Sequence, residues 1–220
     1  MRQLVKMHRS QQGITGLETA IILIAFVVVA SVFAYTVLSA GLFSTQKSQQ
    51  AVQAALQETL STMELRGSVV AYKGDSFISS GVGKVEFTVT TSGRASQPIN
   101  LTPPYAVAGG ALVASGTQAA LQVAYTDGNV TIPDVPWTVT WLGSHSGDNS
   151  LDDKEKAAIT VWLHTYDGAN WAAGSSPPFM GANVLGTDQR FTVEVKAANG
   201  AVLTMSRTTP SYLDQVMDLR

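Results

Sequence analysis

The 220-residue chain contains no cysteine and only three histidines. The first absence excludes a disulfide scaffold, a zinc finger, a thiol nucleophile and an iron–sulfur centre. The chain also lacks a Gly-x-Ser-x-Gly elbow, a phosphate-binding loop and any pair of histidines at ligand spacing, so catalysis finds no support. Fourteen basic against sixteen acidic residues leave a net charge of −2. A general nucleic-acid binder is thereby excluded, because neutralising phosphates takes a concentrated positive face. Charged residues make up 14% of the chain, against about 25% in an average soluble domain.

One gap in charge runs from Thr19 to Gln46, and within it Ala20 to Phe43 reads AIILIAFVVVASVFAYTVLSAGLF. About 20 such residues in a helix cross a hydrocarbon core, so this segment can span a membrane. Ser31, Thr36 and Ser39 are isolated within it and can bond to carbonyls of their own helix. Ahead of it lie Arg2, Lys6 and Arg9 with no acid, a stretch that stays on the cytoplasmic side. A polar segment, Ser10 to Glu18, separates this basic region from the apolar run. Val32 and Ala34 leave an ordinary secretory cleavage open, but the polar spacer fits better with a cut after Gly13 that keeps the apolar helix on the mature protein.

Beyond Phe43, Ser44 to Arg66 is rich in good helix formers, with Val52, Leu56, Leu60 and Met63 recurring at spacings of three and four. Gly67 is a natural stop. A helix over residues 14–66 would be a rod of about 80 Å, more than twice the bilayer core, and a plain anchor has no use for its second half. Apolar residues lie on all its sides. Outside lipid, such a cylinder must be buried by copies of itself, which favours a head-to-tail polymer.

After Gly67 the period changes to two. Val82–Thr90, Trp137–Trp141, Ala158–His164, Arg190–Lys196 and Val202–Arg207 alternate as half-buried antiparallel strands. They are punctuated at Gly74-Asp, Asp127-Gly-Asn and Asn199-Gly. The fold expected is α+β: a long hydrophobic α-helix, then an all-β immunoglobulin-like sandwich over residues 67–220. Trp141 and Trp162 are expected in its core. The sparsely charged stretch Ala106 to Ala120 is expected to mark a contact between subunits.

The basic leader, Gly13 and the run Ile14-Thr-Gly16-Leu17-Glu18 followed by Ile, Val and Ala resemble the class III signal peptide and N-terminal helix of archaeal flagellins (archaellins), relatives of type IV pilins. Phe191 to Pro210 is similar to the closing strands of that family, and Leu151 to Leu163 to an inner strand. The resemblance implies that a prearchaellin peptidase in the membrane removes residues 1–13 and leaves Ile14 as the N-terminus. That cut removes three basic residues and no acid, lowering the net charge of −2 by three. It implies that Gly16, Leu17 and Glu18 serve assembly, Glu18 pairing with the new amine of a subunit; a solvated acid at headgroup level is the alternative. It further implies a subunit of the archaeal swimming filament (archaellum) that polymerises with itself or other archaellins, with a membrane assembly platform and motor ATPase as partners. The precursor sits in the cytoplasmic membrane and the filament outside the cell. An adhesive type IV pilin and a membrane-anchored extracellular binding protein are the alternatives.

Two weaker signals complete the reading. The sequons Asn100-Leu-Thr and Asn129-Val-Thr are candidate N-glycan acceptors. Asp148, Asp152 and Asp153 gather acids in one loop where calcium could find oxygen ligands, although the spacing fails the EF-hand pattern and a solvated turn before a strand explains it better. No other cofactor is expected.

Overall fold

The computed structural model describes residues 2–60, 62–75, 81–91, 98–175, 178–198 and 201–219, excepting the side chains of 2–15 and 57–60. The turn expected at Asn199-Gly200 lies outside the described residues. The chain divides into two units, Met1–Ala54 and Ala55–Arg220. The single helix α1 (Arg2–Leu60) fills the described part of the first and runs on into the second. Ser31 and Thr36 donate to the carbonyls of Val27 and Phe33 at 2.6 and 2.8 Å, so their hydroxyls are satisfied within the helix.

In the β unit, β1 (Met63–Lys73), β2 (Val82–Thr91), β3 (Ile99–Asn100), β4 (Tyr105–Ala108) and β5 (Ala111–Ala114) come first. Next are β6 (Leu121–Asp127), β7 (Thr131–Ile132), β8 (Trp137–Trp141), β9 (Ser150–Leu151) and β10 (Ala157–Trp162). The last are β11 (Thr165–Tyr166), β12 (Trp171–Ala172), β13 (Arg190–Ala197), β14 (Leu203–Thr208) and β15 (Val216–Leu219). Two antiparallel sheets face each other, one in the order β15-β1-β2-β10-β8 and the other β14-β13-β6-β7. Short two-stranded pairs, β3-β9, β4-β5 and β11-β12, flank them.

Period-two alternation sends Phe87, Ile159, Trp137, Tyr125, Phe191 and Val193 into one continuous core between the sheets. Burying a large apolar side chain contributes about 1.5–3 kcal/mol, and this core holds all the fully enclosed ones among the described residues. The Tyr125 ring stacks on Phe191 with centroids 6.0 Å apart, and its hydroxyl donates to Asp127 at 2.9 Å. Burial and the Asp127 charge hold that phenol protonated. At the open side of the sandwich, Arg207 Nε donates to the Leu219 carbonyl at 3.2 Å and ties β14 to β15.

The first strand begins where helix was expected. The helix ends at Leu60 and β1 starts at Met63, so the boundary at Gly67 is corrected. Met63 to Arg66 pair with Thr91 to Thr88 on β2, and Met63 belongs to the sandwich core rather than to a helical stripe. Those four residues alternate apolar and charged, and the pairing partner decides between periods that the sequence satisfies equally. Gly67 is no helix stop: it has φ of 82° and sits where the β1–β2 register shifts between Arg66 and Val69. This is a β-bulge that uses glycine's access to positive φ.

The five-stranded sheet is also covered on its outer face, which is why all six residues of β10 are buried. Trp162 points there, with Trp171 and Phe179, against Tyr105, Leu112, Tyr166 and Val184. Trp162 is therefore buried as expected, but in a second aromatic layer. Trp141 lies half-buried at the margin of the main core, and Trp137 is the fully enclosed tryptophan. Tyr72, Lys84 and Trp162 are paired across β1, β2 and β10, and the Lys84 ammonium lies 4.5 and 4.9 Å from the two ring centroids. Partial burial lowers the Lys84 pKa, and the Glu86 charge opposes that shift.

Gly83 makes the aromatic layer possible. It occupies the second register shift of β1–β2, and a Cβ there would lie 2.7 Å from the Trp171 ring. Gly83→Ala is expected to cost about 1–3 kcal/mol through overpacking. Gly128→Ala, where a Cβ meets nothing within 4 Å, serves as the neutral control. Thermal melts of the purified full-length chain, followed by near-ultraviolet tryptophan signal, check the difference.

Candidate functional site: an apolar helix without a partner

The site is a surface rather than a pocket. Gly16–Leu56 is long and apolar enough to cross a membrane; its most apolar window has a mean hydropathy of 2.8, and none of that window is buried within the chain. Ile22, Phe26, Val29 and Phe33 are each about two-thirds exposed, and so are residues on the other sides such as Leu23 and Leu38. A water-facing helix carries one apolar stripe. This one presents apolar groups around its whole circumference. At about 1.5–3 kcal/mol per large side chain, covering a dozen of them amounts to tens of kcal/mol before ordering costs.

Within Gly16–Leu56, Glu18 is the sole acid and Lys47 the sole base. Glu18, Gly16 and Leu17 are exposed, and nothing lies within 4 Å of where a Gly16 Cβ would be. Gly13 and Ile14 are helical in backbone. Ile14 and Glu18 stand four residues apart, on one face of the helix. Lys47 lies 5.7 Å from the Phe43 ring and donates to Gln50 at 3.3 Å, so the only cation of the segment is held against its own helix.

Both sequon asparagines are exposed on the β unit. Asn100 on β3 accepts from the Thr102 amide at 2.8 Å and the Thr102 hydroxyl at 2.6 Å, which closes the sequon on itself. Asn129 lies in the turn after β6, where its amide donates to Asp127 at 2.7 Å.

The acidic loop is built around a different residue from those the sequence singled out. Glu155 is nearly enclosed and accepts the backbone amides of Ser146 and Asp152, which folds residues 146–155 around its carboxylate. Asp148 accepts the Ser150 amide at 2.8 Å and the Ser146 hydroxyl at 2.9 Å, and these bonds hold its pKa below the usual range. Among the described residues no group of three or more His, Asp or Glu side chains is placed to hold a metal ion. His145 stacks on Trp141 at 4.9 Å, whereas His164 is fully buried and kept neutral by desolvation, which lowers its pKa.

The comparisons agree with this geometry. Residues 13–207 match the family model for archaeal-type flagellin. Probable flagellin 2 of Archaeoglobus fulgidus is 33% identical over 215 residues, covering 93% of each chain. Probable flagellin 1 of the same organism is 34% identical over 216 residues, covering 96% of each. Among solved structures, the archaeal flagellum of Methanospirillum hungatei strain JF1 superposes with a TM-score of 0.60 at 24% identity, covering 93% of this chain and 98% of that one.

The loop makes a prediction of its own. Glu155→Ala leaves two backbone amides without their acceptor and is expected to cost about 1–3 kcal/mol in a thermal melt. Adding calcium or a chelator to the unaltered chain is expected to leave its melting temperature unchanged, and a calcium-dependent rise would restore the metal reading.

Proposed function

This chain belongs to the archaeal-type flagellins and is a structural subunit of a filament, and from that premise we propose that its helix serves first as a membrane anchor and then as the filament core. The observation that carries this reading is the exposure of apolar residues around the whole of Gly16–Leu56. In lipid that surface is satisfied. Withdrawn from lipid, it is satisfied only by the same surface of neighbouring copies, and a non-closing contact of this kind yields a helical polymer.

Processing and assembly follow from the N-terminal residues. A membrane peptidase cuts after Gly13, whose lack of a side chain lets the backbone enter a narrow cleft, and Ile14 becomes the N-terminus. The cut removes Arg2, Lys6 and Arg9, the charges that hold this end in the cytoplasm. It also creates an ammonium group, which Glu18 of a neighbouring subunit receives as the chain enters the apolar bundle. An acid in such packing costs several kcal/mol unless it is paired. The subunit is added from the membrane to an extracellular filament by a platform and ATPase that this chain does not contain. It transmits torque through packed helices, and Asn100 and Asn129 carry N-glycans on the outer surface.

Two measurements test the proposal. Peptide masses from purified filaments are expected to begin at Ile14 and to be shifted by glycan at Asn100 and Asn129; a different start, or unmodified sequon peptides, removes the corresponding claim. Glu18→Leu is expected to abolish or strongly reduce filament formation while the precursor still reaches the membrane. Filaments of normal number and length from that variant would assign Glu18 to a solvated position instead.

A further inference from the structure

The hairpin β4–β5 exposes apolar residues on the β unit. It lies within positions 95 to 126, which contain no charged residue. Its register pairs Ala106 with Val113 and Ala108 with Ala111, so these four side chains share one face, while Tyr105, Val107 and Leu112 belong to the other, where Tyr105 and Leu112 pack on the aromatic cluster and Val107 stays half exposed. The outward face is therefore wholly apolar, with Ala106 and Ala108 exposed and Val113 41% exposed. A two-stranded ribbon has little stability of its own, and nothing in the β-unit core requires its outer face to be apolar.

Further exposed apolar residues lie at an edge of the five-stranded sheet. β4 runs beside β8, which forms one edge of the five-stranded sheet, while β15 forms the opposite edge. On and just before β15, Val216 is 58% and Tyr212 71% exposed. Four interstrand spacings of about 4.8 Å place the two edges about 19 Å apart. Two different patches at opposite edges suit a heterologous contact, in which one edge of a subunit meets the other edge of the next and the pattern repeats without closing. A two-fold contact would need one self-complementary patch. Exposed Asp214 and Asp218 flank Val216 and give that edge a charged rim, which disfavours edge-to-edge pairing of like patches.

We propose that the outward face of the β4–β5 hairpin docks on the Tyr212–Val216 edge of a neighbouring copy of this chain, forming a second subunit contact outside the helical core. The contact rests on the filament reading above. It also explains why so apolar a ribbon is tolerated: left uncovered, it would recur at every subunit and make filaments stick to one another.

The cysteine-free sequence makes the contact measurable in filaments of the full chain. Filaments carrying both Ala108→Cys and Tyr212→Cys are expected to give a ladder of covalent multimers when treated with a short bis-maleimide, and either single variant is expected to stay monomeric. Intact double-variant filaments that remain monomeric would overturn the proposal, as would cross-linked dimers from Ala108→Cys alone, which would mean hairpin meets hairpin. If the double variant does not polymerise, filaments co-assembled from the two single variants are expected to give cross-linked dimers, and their absence also counts against it. Val113→Glu is expected to shorten filaments or lower their dissociation temperature with no loss in the melting temperature of the β unit. Val113→Glu filaments of unchanged length and stability would overturn it too. A failure of the unaltered chain to form filaments at all would instead refute the filament reading.

Discussion

Everything in this molecule depends on a helix that water cannot solvate. A soluble amphipathic helix solves its burial problem with one face and one neighbour; α1 presents Ile, Leu, Val and Phe in every direction and therefore needs several neighbours at once. Lipid meets that need without specificity. A bundle of identical helices meets it with close packing, and dispersion between interdigitated side chains is better there than with fluid acyl chains. Anchor and filament core are thus two solutions to one constraint. In the proposed function the sequence need not change between them, apart from the loss of Arg2, Lys6 and Arg9, which would hold the helix in the first.

The β unit shows the opposite economy. Its core is complete within one chain, closed by Arg207 onto Leu219, and the outer face of its larger sheet is covered around Trp162 by a second aromatic layer. A unit of this kind is rigid before assembly, so forming contacts between subunits costs little ordering of its backbone. The glycines at positions 67 and 83 belong to this design. One turns the first strand at a bulge, and the other leaves room for Trp171.

How much of this was legible depended on whether one period or two fitted a segment. The helix was unmistakable because an uncharged run as apolar as Ala20 to Phe43 has few other physical meanings, and β2, β8, β13 and β14 were legible from alternation within a residue or so of their ends. The start of β1 was not, because Met63 and Leu65 satisfy strand spacing while Leu60 and Met63 satisfy helical spacing, and only pairing with β2 decides. β6 alternates as cleanly as the others but follows an Ala-rich stretch that blurs its start, and β15 is too short to show a period. Glu155 was hidden among more conspicuous aspartates, since a side chain that organises a loop by accepting backbone amides leaves no signature in composition. The parity of Trp162 was visible, but its consequence was not: alternation says which face a residue takes, and only the fold says that both faces are covered.

That last point changes the meaning of the low charge content. A sheet solvated on one side has room for charges at every second position. Here β10 is buried throughout, and the outer-face positions Thr90, Ala158, Thr160 and Thr138 are enclosed as well, so Thr and Ala replace charges for reasons internal to the chain. Part of the deficit outside the helix is therefore explained without any partner. What this explanation cannot reach is the outward face of β4–β5, where Ala106, Ala108 and Val113 meet no covering layer in their own subunit. The charge deficit of the β unit thus separates into a portion that folding requires and a portion that folding alone leaves unexplained, and the second includes the outward face of the β4–β5 hairpin.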